Sequence, residues 1–351
     1  MEESPLVISY KQKRYDLTQF QHKHPGGLNT LKGLNNQDIE QRFEKAPPHS
    51  DAALYLMKEY ELKNAKEANN NNTGSSNGFL KNGISNGHSN GIGNGSVHTE
   101  NVNGSIPHKT DESMEHLVDW SKPMLSQIGS LKENYSEWVN KPVDRPLRLF
   151  GPTWLENLTK TPWWLVPLFW IPSIGYIASI GLKEAYAAGF SSSYVLLSFI
   201  AGIALWTILE YSLHRWVFHL NAENGGVFLC TFHFLLHGLH HKVPFDPYRL
   251  VFPPVPATIL ATLFYQPLPL LASCPKIVLA GGLVGYLCYD MIHYYIHYGS
   301  PTFNYMYMLK RYHYQHHFVH HDAGFGISSP IWDVVFGTKI FLRKLKYMLR
   351  W

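Results

Sequence analysis

Apolar residues fall in blocks along this chain. Residues 163–182 and 194–213 are almost continuously apolar, and runs of about 20 such residues cross a hydrocarbon core of about 30 Å as helices. Residues 277–292 form another run. Residues 250–272 form one more, interrupted by Pro253, Pro254, Pro256, Pro267 and Pro269. Aromatic residues crowd the ends of these runs, as they do at membrane interfaces. The pattern predicts an all-α integral membrane domain over residues 161–351, with about four transmembrane helices. Residues 1–63 differ: Leu6, Ile8, Tyr10, Tyr15, Leu17 and Phe20 alternate over short distances, and DAALYLMKEYEL has helical spacing. That pattern predicts a small module of strands or turns followed by helix. Residues 64–113 repeat Asn-Gly without flanking strands. They cannot bury enough apolar surface to order themselves, and read as a tether with a reach of roughly 35–45 Å. Residues 114–160 interleave Trp, Leu, Ile and Phe with charges, which predicts amphipathic helices at the membrane surface.

Composition agrees with this division. Hydrophobic residues make up 45% of the 351, yet mean hydropathy is only -0.17, so apolar blocks are diluted by very polar ones. A net charge of +4 is too mild to indicate a nucleic-acid partner. The basic residues gather in the tail (Arg343, Lys344, Lys346, Arg350) and before the first apolar run, which suits the cytosolic side of a membrane. Cys230, Cys274 and Cys288 offer neither a disulfide framework nor a thiolate zinc site. The first residues, MEESPLVISYK, lack the apolar core of a signal peptide, so the N-terminus is expected in the cytosol.

Histidine changes the picture. Thirteen of the 20 histidines lie between positions 214 and 321. They form four groups: His214 and His219; His237, His240 and His241; His293 and His297; His313, His316 and His317. Spacings of three and four share a helix face, so the last three groups can each converge. His214 and His219 are five apart, about 140° around an ideal helix, and need a helix end or a large shared site. Four spans would bring all four groups, and both termini, to one side as a cytosolic histidine-rich cap. Neutral imidazole is the commonest metal ligand, and ten of them suit a pair of first-row transition metals. Zinc would bind the same set but has no redox chemistry. No Glu-x-x-His pair is present, which excludes the di-iron carboxylate bundle. His233, His320 and His321 are expected in supporting or solvated roles. Glu210, Tyr289 and Asp290 are candidates to orient ligand rings.

The first module carries HKHPGGLNTL and, further on, FEKAPPHSDAALYL. This pair resembles the cytochrome b5-like haem domain, with His24 in the HPGG turn and His49 before Ser50. The resemblance implies an α+β haem-binding domain in which His24 and His49 clamp one haem iron from both faces. Such iron has no open position, so it passes electrons and does not bind oxygen.

Outside the tether, the whole chain resembles the fatty acid 2-hydroxylase family. The resemblance is carried, in order, by VDWSKPML, EWVNKPVDRPLRLF, EYSLHRWVFH, FLLHGLHH, YDMIHYYIHY and YHYQHHF…GFGISSP. It implies a multi-pass enzyme of the endoplasmic reticulum membrane that hydroxylates long-chain fatty acids or acyl chains at the 2-position, supplying sphingolipids such as ceramides. It implies two iron ions held by His214, His219, His237, His240, His241, His293, His297, His313, His316 and His317, with zinc a substitute in purified samples. O2 would be the oxidant, and an NAD(P)H-dependent reductase would supply electrons through the haem. The alternatives are an acyl desaturase or a sterol oxidase of the same histidine-box type, or a haem- or metal-binding membrane protein without chemistry of its own. A mid-chain double bond would distinguish the desaturase.

Overall fold

The computed structural model describes residues 4–45, 49–62, 114–222 and 226–342. The Asn-Gly tether and the basic tail from Arg343 lie outside the described residues. In the N-terminal module, β1 (Val7–Tyr10) and β2 (Lys13–Asp16) pair antiparallel, with Val7 opposite Asp16 and Tyr10 opposite Lys13. Lys11 and Gln12 both take positive φ, the two-residue turn whose twist matches that of the strands it joins. Alternation turns Ile8, Tyr10 and Tyr15 inward, onto Leu6, Leu17, Leu31, Leu34, Ile39 and Met57. Three short helices complete the module: α1 (Leu28–Leu31), α2 (Glu40–Lys45) and α3 (Asp51–Met57). Ser50 caps α3 by accepting from the Ala53 amide at 3.2 Å.

Residues 114–149 depart from the expected membrane-surface helices. They fold inward as short pieces that include α4 (Ile128–Leu131) and α5 (Tyr135–Val139). Met124, Ile128, Tyr135, Trp138 and Val143 are buried against Phe234 and Leu239 of the histidine-bearing segment. The apolar residues that suggested a lipid-facing stripe find protein partners instead. Lys242 pins this layer. Its ammonium, fully buried, donates to Glu115 Oε1 at 2.7 Å and to the carbonyls of Trp138 at 3.0 Å and Lys141 at 2.7 Å. α6 (Thr153–Leu158) does present Trp154 and Leu158 outward.

Among the described residues, three helices are long and apolar enough to cross a membrane. They are α7 (Leu165–Ala187); α8 (Ser192–Ser212), continued by a π-helical turn at Leu213–Phe218; and α13 (Pro275–Tyr298). Leu168, Ile171, Leu196 and Leu197 are exposed on the first two, as lipid-facing residues are. Between α8 and α13 lie α9 (Gly226–His233), a π turn (Phe234–Gly238), α10 (Leu239–Lys242), α11 (Pro254–Tyr265) and α12 (Leu268–Leu271). The proline-rich run is thus two helices and not one, interrupted near Pro267, where the backbone N–H is missing. It still links opposite ends of the domain. Leu250 and Phe252 bond to His293 and Asp290 at one end, and Cys274 packs with Ala185 and Val195 at the other. Beyond α13 come α14 (Asn304–Phe318) and α15 (Ile331–Val335).

α8 and α13 run side by side in the same direction, so their C-terminal ends, with His214 and His293, arrive together. Glycine makes the contact. A Cβ on Gly202 would stand 2.1 Å from the Val278 carbonyl, and one on Gly281 would stand 2.0 Å from the Phe199 carbonyl. Small residues let membrane helices approach backbone to backbone. Gly281→Val is expected to cost at least about 1–3 kcal/mol through overpacking, read as a lower unfolding temperature in detergent by circular dichroism. Gly175→Ala, whose Cβ would meet nothing within 4 Å, is expected not to lower that temperature, since Ala also favours the helix over Gly.

Candidate metal centre

The π turn at the end of α8 answers the five-residue spacing. In a π-helix residue i bonds to i+5, and the His219 amide donates to the His214 carbonyl at 3.0 Å. The two rings therefore come to one side, tilted to each other by 56° with centres 5.0 Å apart. The other helices straddle the site. His240, His293, His297, His313 and His317 form one group, and His214, His219, His237 and His316 a second; in each, one ligand atom per residue lies within 4.8 Å of all the others. Thus α14 gives His313 and His317 to the first group and His316 to the second. His237 and His240, three apart, also divide between them. His241 lies between the groups: its Nε2 is 3.1 Å from that of His237, and its ring stacks on His317 at 4.2 Å. All ten expected residues are brought together.

Three tautomers follow from the hydrogen bonds. His214 Nδ1 donates to the Phe325 carbonyl at 2.6 Å, His293 Nδ1 to the Leu250 carbonyl at 3.0 Å, and His316 Nδ1 to the Ala323 carbonyl at 2.8 Å. A carbonyl only accepts, so each Nδ1 carries the hydrogen and each Nε2 offers a lone pair. Those Nε2 atoms are crowded together. His313 Nε2 lies 3.1, 2.8 and 3.0 Å from the Nε2 atoms of His293, His297 and His317. His293 Nε2 is also 3.1 Å from His240 Nε2, and His214 Nε2 is 3.0 Å from His237 Nε2. One imidazole nitrogen cannot satisfy three others. Protons do not resolve the crowding either. Burial first, then neighbouring imidazoles, pushes His237, His240, His241, His313 and His317 well below the usual histidine range, so these rings are neutral near pH 7. A metal cation fits. Two nitrogens bound at right angles to one ion at about 2.0–2.1 Å stand about 3 Å apart, the spacing found here.

Buried carboxylates hold the loops that hold these rings. Glu210 accepts from the amides of Ile327 at 2.9 Å and Ser328 at 2.7 Å, and from the Ser328 hydroxyl at 2.5 Å. Asp290 accepts from the Phe252 amide at 3.1 Å, next to the strand of chain that binds His293. Tyr289 stacks nearly parallel on His293, ring centres 6.1 Å apart. The sequence reading missed Asp333. Fully buried, it accepts from the amides of Phe325 at 2.8 Å and Gly326 at 2.9 Å, and from the Thr338 hydroxyl at 2.8 Å. It thereby fixes the carbonyl that orients His214. An acid at the end of the glycine-rich GFGISSPIWD stretch was the available signal. Of the remaining histidines, His233 bonds to the Tyr135 hydroxyl at 2.6 Å and is pushed down to about 4 by burial. His321 lies beside His241, ring centres 5.8 Å apart, and His320 is exposed.

In the N-terminal module, the His24 and His49 rings face each other with centres 6.4 Å apart. Two imidazoles bound to opposite sides of one ion at about 2.0–2.1 Å have ring centres about 6–6.5 Å apart. His24 Nδ1 accepts from the Gly26 amide at 3.2 Å and lies 3.1 Å from the Thr30 hydroxyl, which together fix the orientation of the ring. Phe43 stacks on His49 at 3.7 Å.

Comparison with known proteins agrees with this layout. A model described as fatty acid hydroxylase matches residues 199–338, and one described as cytochrome b5-like heme/steroid binding domain matches residues 2–66. The chain is 38% identical over 357 residues to a fatty acid 2-hydroxylase of Homo sapiens, covering 92% of this chain and 88% of that one. It is 42% identical over 228 residues to the dihydroceramide fatty acyl 2-hydroxylase FAH2 of Arabidopsis thaliana, covering 64% of this chain and 93% of the relative. A solved structure titled "Full length scs7p (only hydroxylase domain visible)" is similar with a TM-score of 0.57 and 36% identity, over 64% of this chain and 86% of that chain.

Asp333→Ala would leave two buried amides and a hydroxyl without their acceptor and release the carbonyl that orients His214. Metal affinity of the four-histidine group is expected to fall by roughly 10–100-fold, while the five-histidine group keeps its own. Titration with a chelator, followed by metal analysis of the protein, checks this.

Proposed function

The chain belongs to the fatty acid 2-hydroxylase family and is a hydroxylating enzyme; on that premise we propose that it inserts an oxygen atom from O2 at the 2-position of a long-chain fatty acid or acyl chain destined for sphingolipids. The observation that carries this reading is the placement of two groups of imidazoles, all buried but the half-buried His219, where the apolar helices α8 and α13 end. An acyl chain lying among such helices would keep its carboxyl end at their mouth, so the carbon next to that carboxyl meets the site first.

The ten histidines would hold two iron ions: His240, His293, His297, His313 and His317 around one, His214, His219, His237 and His316 around the other, with His241 between them. Such a redox metal pair supplies the activation of O2 needed to attack a carbon with no usable acidity. The chain's own part is positional. The Phe325, Leu250 and Ala323 carbonyls keep the Nε2 lone pairs of His214, His293 and His316 directed inward. The Phe325 ring, within 6 Å of the His214, His219 and His316 ring centres, walls the second group with apolar surface and helps exclude water. His24 and His49 would hold a haem, and that haem would supply electrons received from an NAD(P)H-dependent reductase.

This reading also assigns the parts of the chain. Residues 1–63 are the haem module, 64–113 a tether, 114–160 the layer leading into the membrane, and 161–351 the hydroxylase domain. α11 and α12 together serve as the fourth crossing, which leaves the histidine cap and both termini on the cytosolic side of the endoplasmic reticulum membrane.

The reaction is tested with membranes containing the protein, a reductase, NADPH, O2 and a long-chain acid doubly deuterated at the 2-position. Mass spectrometry is expected to find a 2-hydroxy product that has lost one deuterium and gained one oxygen from O2, and His24→Ala is expected to abolish it. A mid-chain double bond would move the assignment to a desaturase. A hydroxyl elsewhere on the chain would refute the regiochemistry.

A further inference from the structure

The N-terminal module meets the hydroxylase domain through a polar corner and an apolar patch. Arg145 grips Glu59 with both arms of its guanidinium, Nε donating to Oε2 at 2.8 Å and Nη2 to Oε1. Beside it, Asp144 accepts from Lys23 Nζ and from the Tyr60 hydroxyl, each at 2.5 Å. Behind this corner Leu56, Phe245 and Tyr314 are buried in one cluster, with Phe20, Tyr60 and Phe318 packed on it. Phe20 meets Phe245 edge to face at 5.9 Å. The Tyr314 hydroxyl donates to the Lys23 carbonyl at 3.0 Å and lies 3.4 Å from the His297 carbonyl. Lys23 is one peptide bond from His24, and Tyr314 is one peptide bond from His313. A single hydrogen bond therefore joins the backbone of a haem-side histidine to that of the five-histidine group.

We propose that Asp144 and Arg145 dock the haem module on this face, and that Tyr314 is the junction through which its electrons enter, at the five-histidine group and not the four. This rests on the haem and metal pair proposed above. In each transfer one electron leaves ferrous haem iron, which becomes ferric, and one metal ion of the five-histidine group is reduced. No covalent bond is made or broken, and the nicotinamide-dependent reductase restores ferrous haem. A module joined to the site only through the chain would meet it at an effective concentration set by the length of that connection. Docking replaces that search with one fixed approach.

The test uses the full-length holoprotein in lipid nanodiscs, with two readouts. One is hydrogen exchange at residues 20–24 and 56–60. The other is haem reoxidation, followed by visible absorption after the anaerobically reduced protein is mixed with O2 and acyl substrate. Arg145→Glu sets two carboxylates against each other. It is expected to speed exchange in both segments and to slow haem reoxidation by roughly tenfold or more, with the haem spectrum and its reduction by the reductase unaltered. Adding Glu59→Arg is expected to restore both readouts. Tyr314→Phe is expected to keep the exchange protection and slow reoxidation alone. If Arg145→Glu does not fold, Glu59→Gln serves the same comparison. Unchanged exchange and reoxidation in the charge-reversed protein overturn the docking, and unchanged reoxidation in Tyr314→Phe overturns the junction. Failure of the substrate assignment looks different: normal docking and reoxidation without any 2-hydroxy product.

Discussion

Ten imidazoles crowded together, nine of them buried and His219 half-buried, are the constraint on which the rest of this structure depends. His313 Nε2 alone has three imidazole nitrogens within 3.1 Å. Without a cation, such an arrangement sets lone pairs against one another in a medium that screens poorly. Protonation cannot relieve it, since burial disfavours the charged ring. A bound metal would relieve the crowding, and metal binding would then be part of the folding free energy.

Much of the architecture serves to bring these rings to one place. The glycine contact between α8 and α13 aligns two histidine-bearing helix ends. Glu210, Asp290 and Asp333 do not touch the metal-facing nitrogens; they tie down the loops whose carbonyls orient the rings. Outer partners of this kind set tautomer and ring direction. Lys242 and Glu115 do comparable work for the layer beneath, where a buried ion pair is satisfied by two further carbonyls.

Much of the site was legible in the sequence because ligand chemistry is local. The groups ending at His241, His297 and His317 have spacings that a helix turns into shared faces, and HPGG with a following His-Ser marked the haem module. What was illegible depends on backbone irregularity and on distant partners. The π turn that reconciles His214 with His219 has no simple residue signature. Helical periodicity placed His313, His316 and His317 on one face, but could not tell that this face lies between two centres. Residues 114–160 read as amphipathic because Trp, Leu, Ile and Phe interleave with charges. Only tertiary packing reveals that their partners are Phe234 and Leu239 rather than lipid. Asp333 closes the GFGISSPIWD stretch, but its role depends on a loop that returns to it, which local sequence does not show.

The same crowding gives the most direct test of this view: metal analysis and X-ray absorption on the full-length protein, with the haem iron subtracted. Two ions per chain are expected, each with nitrogen ligands at about 2.0–2.1 Å and with the outer scattering of several imidazole rings. A single ion, or a shell of oxygen or sulfur without imidazole scattering, would contradict it.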